Sequence, residues 1–241
     1  VLNTYILYHK NCLDGLAAAY AFWKNKSFVT RFNIFKDSFI PVQYGSPPPT
    51  LPPGSNLYIL DFSYSPEVIG ELKKLHSSVV VIDHHQTALR LKGVEGCHID
   101  TTECGSMLAF KYARKTFSGI KKLGRFDVPM FLEYINDHDL WLHKKPHCEE
   151  FVAAIRSYPL TIDAWDEINV FSTDSVHNLV LQGRHVLRYQ SKIVRRLTKT
   201  AFLQKIDGHL IPTVYTDILR SEVCNELLKN NADAKAACAI S

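Results

Sequence analysis

Short apolar runs separated by polar turns recur through the first hundred residues. Tyr5 to Tyr8 (YILY) predicts a strand, and Leu16 to Lys24 (LAAAYAFWK) a helix with a small-residue face. Residues 40–44 (IPVQY) give a weaker strand. Pro41 places it at a sheet edge, because proline has no amide to give to a ladder. The loop SPPPTLPPGSN follows and can enter neither a ladder nor a helix interior. LYIL at 57–60 is the next strand. Ser65-Pro66-Glu67 opens a helix to about Leu75, with Ser65 as cap and Pro66 in the first turn. VVVI at 79–82 is apolar on both faces, as an inner strand of a parallel sheet is.

This alternation predicts an α/β fold, a doubly wound and mostly parallel sheet with flanking helices. Such sheets take ligands beyond the carboxyl ends of their strands. Residues 103–117 and about 128–136 read as helices, and Asp174 to Lys199 as one long amphipathic helix. The basic residues Arg184, Arg188, Lys192, Arg195, Arg196 and Lys199 read as spread over several faces of it. That suits a solvated helix linking two lobes better than a positive wall for a polyanion. FLQKI and HLIPTVYT, split by Asp207-Gly208, predict a hairpin. A helix over about Ser221 to Lys229 and the apolar AKAACAI follow. The expected division is 1–173 as the catalytic domain, 174–200 as a linking helix, and 201–241 as the start of a smaller, incomplete C-terminal α/β lobe that would bind substrate.

Composition narrows the class. Of 241 residues, 46% are apolar and 22% charged, which excludes disordered, collagen-like and coiled-coil chains. A net charge of +4 neither requires nor excludes a nucleic-acid partner. No apolar stretch approaches the ~20 residues of a membrane helix, and no secretory signal is visible. The six cysteines form no CxxC pair, which argues for reduced thiols, a cytoplasmic location and no structural zinc site.

The ionisable residues concentrate at strand ends. The first strand runs into His9 and, after a turn, Asp14-Gly15. LYIL ends at Asp61, and VVVI at Asp83-His84-His85. Further on stands Asn136-Asp137-His138-Asp139. One strand-end aspartate is most often a cap or turn residue. Several on one rim repel one another unless cations neutralise them. Carboxylates mixed with imidazoles suit Mn²⁺ or Mg²⁺, and two such ions clamp a phosphoryl group and activate water. Cys104-Gly105-Ser106 falls in the first turn of a helix whose amides could hold a phosphate, with Thr101-Thr102-Glu103 as capping context. His98 reads as a surface strand residue and Trp141 as core.

In order along the chain, YHKNCLDGLAAA, the strand-end acid of YILDFSY, VVVIDHH and NDHDLW resemble the four motifs of the DHH phosphoesterase family. The resemblance runs from about residue 5 to 142. It implies a metal-dependent phosphohydrolase, usually with two Mn²⁺ ions, with Mg²⁺ or Co²⁺ as alternatives. By that resemblance His9, Asp14 and Asp61 would bind one or both metals, and Asp83 would bridge them or hold one. Asp137 would complete the second metal and is preferred to Asp139. His84 would lie beside the phosphate as ligand or donor, and His85 would be a catalytic neighbour or hydrogen-bond partner. Apart from the resemblance, Gly105 and Ser106 are read as substrate-binding through the helix-start amides, with an ordinary capped helix as the alternative.

The first motif departs from members that carry two aspartates one residue apart. Only Asp14 is present, which implies a weaker hold on one metal or a part for Asn11. The GGGH motif that many members use for substrate is absent from the sequence. The implied reaction is hydrolysis of phosphodiester or phosphoanhydride bonds in small nucleotides or short oligonucleotides by metal-activated water. Exopolyphosphatase or pyrophosphatase activity, or a non-catalytic nucleotide or phosphate sensor, are the alternatives.

Overall fold

The computed structural model describes residues 3–120, 127–231 and 233–240. The chain forms two compact units, Val1–Val180 and Leu181–Ser241. The first is built on β1 (Thr4–His9), β2 (Phe39–Val42), β3 (Asn56–Leu60), β4 (Ser78–Asp83) and β5 (Cys97–Ile99). They form one parallel sheet in the order β2-β1-β3-β4-β5. The α/β expectation holds, and Pro41 does lie on an edge strand.

Successive side chains of a strand point to opposite faces, and here each face meets helices. Ile6, Tyr8, Tyr58, Leu60 and Ile82 join one core with α1 (Leu13–Trp23) and α4 (Gly105–Phe117). Leu7, Leu57, Ile59, Val79 and Val81 join the opposite core with Ile69 and Leu72 of α3 (Pro66–Leu75). Ser65 caps α3, accepting from the Val68 amide, as its sequence predicts. Almost every residue of α1 is buried. Its run of alanines lets it wedge between the sheet and α4.

Three helices escape the sequence reading: α2 (Lys26–Phe32), α6 (Cys148–Ile155) and α7 (Ile162–Glu167). Each spans about two turns, too few to display a 3.6-residue period. α7 is held by Trp165, fully buried, whose ring meets Tyr20 at 5.5 Å and Phe131 at 6.1 Å. Phe131 belongs to α5 (Met130–Asp139), which runs three residues past its expected end. Trp141, just beyond α5, is not core. It is 76% exposed, on a backbone with φ of 53°.

The second unit begins within α8 (Thr173–Thr198). It adds the antiparallel hairpin β6 (Phe202–Ile206) and β7 (His209–Tyr215), then α9 (Arg220–Asn230) and β8 (Cys238–Ile240), parallel to β7. Asp207 and Gly208 both have positive φ, as a two-residue hairpin turn of the primed type requires. Val194, Val214, Val223 and Leu227 form its core. The basic residues of α8 are not spread round the helix. At about 100° per residue, those from Arg184 to Arg196 fall within roughly a third of the circumference. Arg188, Lys192, Arg195, Arg196 and Lys199 line one shallow recess of about 660 Å³. Among the described residues no helix is long and apolar enough to cross a membrane.

Candidate metal centre

The sheet's strand order reverses between β1 and β3, and that crevice is where doubly wound sheets take ligands. His9 ends β1, Asp61 follows β3, and Asp83 ends β4, so topology puts all three on one rim. Asp61 is buried and has φ of 53°, a left-handed conformation that aspartate adopts more readily than most residues. Two helix starts close on the rim, one on His9 and one on Asp61. A Cβ on Gly15, in the first turn of α1, would lie 2.4 Å from the His9 carbonyl oxygen. A Cβ on Gly105, at the start of α4, would lie 2.6 Å from Asp61 Oδ1. Both glycines are there because no side-chain carbon fits.

His84 Nε2 sits among three carboxylates. It is 3.3 Å from Asp61 Oδ1, 3.4 Å from Asp139 Oδ2 and 3.7 Å from Asp14 Oδ2. His9 Nδ1 is 3.5 Å from Asp61 Oδ2. Neither oxygen of Asp61 has a well-formed hydrogen bond, and both are buried, as is an unpartnered Asp83 Oδ2. Asp83 Oδ1 instead accepts from the His84 amide (2.7 Å) and the His85 amide (3.2 Å), and lies 2.7 Å from His85 Nδ1. That carboxylate therefore sets the turn that carries the two histidines, whose rings lie 4.5 Å from each other. Tyr44 and Phe62 wall His9, with ring separations of 5.2 and 6.1 Å.

The charges are strongly coupled. Burial pushes the Asp14 carboxyl well up, and the neighbouring Asp61 and Asp139 charges push it further. Burial also acts to raise Asp61, but the His84 and His9 imidazoles beside it outweigh that and bring Asp61 to about 2. For His84, burial opposes the charged form, yet Asp61, Asp14 and Asp139 raise it to about 9. In the protein alone, a protonated imidazole thus carries the positive charge that this carboxylate set demands.

Among the described residues, three groups bring ligand atoms within 4.8 Å of one another: His9, Cys12 and Asp61; Asp61, His84 and His85; and Asp14, His84 and Asp139. Adjoining groups that share Asp61 and His84, mostly oxygen and nitrogen donors with unpartnered buried carboxylate oxygens, fit divalent cations.

A solved structure described as the DHH domain of a member of a family of ribosomal proteins matches 95% of this chain and 69% of its own. The TM-score is 0.53 at 12% identity. The chain has the DHH-domain fold. An uncharacterized protein from Helicobacter pylori G27 matches with a TM-score of 0.47 at 14% identity, over 97% of this chain and 81% of its own. The uncharacterized protein R106 of Acanthamoeba polyphaga mimivirus is 25% identical over 92% of this chain. The chain spans 54% of that relative's length. No family model matches the sequence.

On this DHH fold the sequence-predicted residues separate. His9, Asp14, Asp61, His84, His85 and Asp139 come together, with Asp83 behind the histidines. Asp137 does not join them. Positions 137 and 139 lie about 200° apart round a helix, so α5 can turn only one inward. Asp137 Oδ1 instead accepts from the Lys144 amide at 2.8 Å and closes the loop after α5. The preference for Asp137 rested on the apolar Leu140-Trp141 pair that follows in the resembled motif, and that pair does not report which aspartate the helix turns inward.

Gly105 and Ser106 do not offer free amides to a phosphate. Both are buried, and Asp14 takes the Gly105 amide at 2.6 Å and the Ser106 amide at 3.0 Å. The capping acid of α4 thus comes from a site residue remote in sequence, and not from the Thr-Thr-Glu run. Asn11 is exposed, with φ of 55°. The residue the sequence reading missed is Cys12, and its signal was its place two residues before Asp14.

Metal content separates the two aspartates. Asp139→Ala is expected to weaken Mn²⁺ binding by at least the 10–100-fold typical of losing a supporting residue. Asp137→Ala should keep the metal while losing about 1–3 kcal/mol of stability, because the Lys144 amide is stranded. Equilibrium dialysis and thermal unfolding read the two effects apart. Equal metal loss in both variants would return Asp137 to the centre.

Proposed function

We propose that the chain is a metal-dependent phosphohydrolase that cleaves phosphodiester or phosphoanhydride bonds of small nucleotides or short oligonucleotides. The observation that carries this reading is Asp61. Its carboxylate is buried, kept ionised, and turned between two imidazoles with neither oxygen in a well-formed hydrogen bond. Bound divalent ions would supply activated water and neutralise the phosphoryl oxygens. The DHH-domain fold supports this reading as a matter of architecture.

The residues divide the remaining work. Asp61 has one oxygen towards His9 and the other towards His84, so it can face two cations at once. Asp14 holds the start of α4 through its two amides, which fixes the distance between the Asp14 and Asp61 carboxylates. Asp83 orients both histidines through backbone and ring. His84 Nε2 lies among three carboxylates, where it could serve as a ligand to a cation or, when protonated, as a donor to a phosphoryl oxygen. With Nδ1 engaged by Asp83, His85 is left Nε2 for a ligand.

The assay uses a bis-aryl phosphate ester with Mn²⁺. Phenol release by the native chain should exceed that of Asp83→Ala at least about 100-fold, since Asp83 positions two site histidines. A panel of dinucleotides, cyclic nucleotides, pyrophosphate and polyphosphate then reads substrate class. Background release on every substrate from a metal-loaded chain would replace the enzyme reading with that of a sensor.

A further inference from the structure

Cys12 stands at the start of α1 but does not cap it. Its backbone is extended and its side chain makes no capping bond. The thiol instead lies in a group with a His9 ring nitrogen and an Asp61 oxygen, all within 4.8 Å of one another. The other two members are the unsatisfied ones: His9 Nδ1 and both oxygens of Asp61 are buried with no well-formed hydrogen bond. Close packing of Gly15 on the His9 carbonyl folds the chain back over only three residues, from His9 to Cys12. A mere thiol cannot satisfy Asp61, because S–H is a weak donor. A cation at the centre of the three would satisfy all of them.

The two ends of the centre differ in chemistry. The group Asp14, His84 and Asp139 offers two carboxylates and an imidazole, donors that suit Mn²⁺ or Mg²⁺. The group His9, Cys12 and Asp61 offers nitrogen, sulfur and oxygen. Thiolate selects softer ions, and such mixed three-residue sets with a fourth position left open are how proteins hold reactive Zn²⁺. We propose that Cys12 is a metal ligand, and that with His9 and Asp61 it makes a site for a thiophilic divalent cation of the Zn²⁺ class. The two ions of the centre are then unlike, one thiophilic and one hard. On binding, the Cys12 S–H bond breaks, its proton passes to solvent, and the sulfur's electron pair goes to the ion. This rests on the reading of the rim as a cation centre.

The test is spectroscopic and needs no turnover. Co²⁺ titrated into the full chain should give a sulfur-to-cobalt charge-transfer band in the near ultraviolet with the first equivalent. Zn²⁺ should displace it, and a tenfold excess of Mn²⁺ should not. Cys12→Ser should abolish the band and weaken Zn²⁺ binding at least about 10-fold, while Cys148→Ser keeps both. In the native chain, Zn²⁺ should also slow alkylation of Cys12, read by mass spectrometry, at least about 10-fold more than Mn²⁺ does. That measurement stands if Cys12→Ser fails to fold. Co²⁺ bound without a thiolate band, or with one that survives Cys12→Ser, overturns the role of Cys12 and leaves the cation centre standing. A chain that binds no divalent ion overturns both.

Discussion

Asp61→Asn is expected to fold and to lose the metal centre. Asparagine has the same shape and tolerates φ of 53° as readily as aspartate, so the turn after β3 should survive. What disappears is the charge that both imidazole contacts depend on. Residues that merely support ligands cost 10–100-fold in metal affinity, and Asp61 belongs to two of the three ligand groups. Mn²⁺ affinity should therefore fall by more than about 100-fold, with turnover falling alongside. A stability measurement gives the same answer independently. At a free metal concentration 100 times Kd, binding to the native state adds about 2.7 kcal/mol, or roughly 5–10 °C in Tm for a chain of this size. The native chain should show that rise with Mn²⁺, and Asp61→Asn should show at most about 1–2 °C at the same concentration. A variant that keeps the rise would remove Asp61 from the metal and leave its burial unexplained.

Strands β1 to β4 of the first unit were legible because their apolar runs are bounded by strong punctuation, whereas the three-residue β5 offers no such run. Pro41, the proline-rich loop and the Ser65-Pro66 cap each act through local backbone sterics, which no distant residue has to supply. His9, Asp61 and Asp83 were legible for a related reason: in a parallel sheet the strand end is itself the address of the ligand crevice. The short helices α2, α6 and α7 were not, because two turns bury too few residues to print a period. α6 even starts from His147 at φ of 63° without a side-chain cap.

The failures at the site share one cause. Gly105 and Ser106 looked like an open anion cradle because a helix start has unpaired amides. Nothing local reveals that Asp14, about ninety residues earlier, fills them. Asp137 and Asp139 could be separated only by knowing that α5 continues through both. Cys12 was read among scattered thiols by its lack of a CxxC partner, a test for structural zinc that says nothing of a ligand shared with histidine and aspartate. Trp141 was assigned by residue type, and its left-handed backbone carries it outward instead. In each case the missing information was the three-dimensional neighbour, not the residue's own chemistry.

Gly105→Ala tests the frame that holds those neighbours together. Its new Cβ would meet Asp61 Oδ1 at 2.6 Å, Asp61 Cβ at 2.7 Å and Asp61 Cα at 2.9 Å, so the obstacle includes backbone. Relief requires moving Asp61 or withdrawing the start of α4, and withdrawal would pull the Gly105 amide from Asp14. Overpacking of this kind typically costs about 1–3 kcal/mol, before any loss of metal. The expected result is a lower unfolding midpoint without metal together with a Mn²⁺ affinity down by about 100-fold, because two ligand carboxylates are displaced in one step. Gly70→Ala supplies the opposite sign. Gly70 lies inside α3 with nothing within 4 Å of a built Cβ, so alanine should stabilise by up to about 1 kcal/mol through helix propensity and leave metal binding unchanged. If Gly105→Ala behaved like Gly70→Ala, the close approach of α4 to Asp61 would have no part in shaping the centre. Helix position and ligand geometry would then be independent of each other.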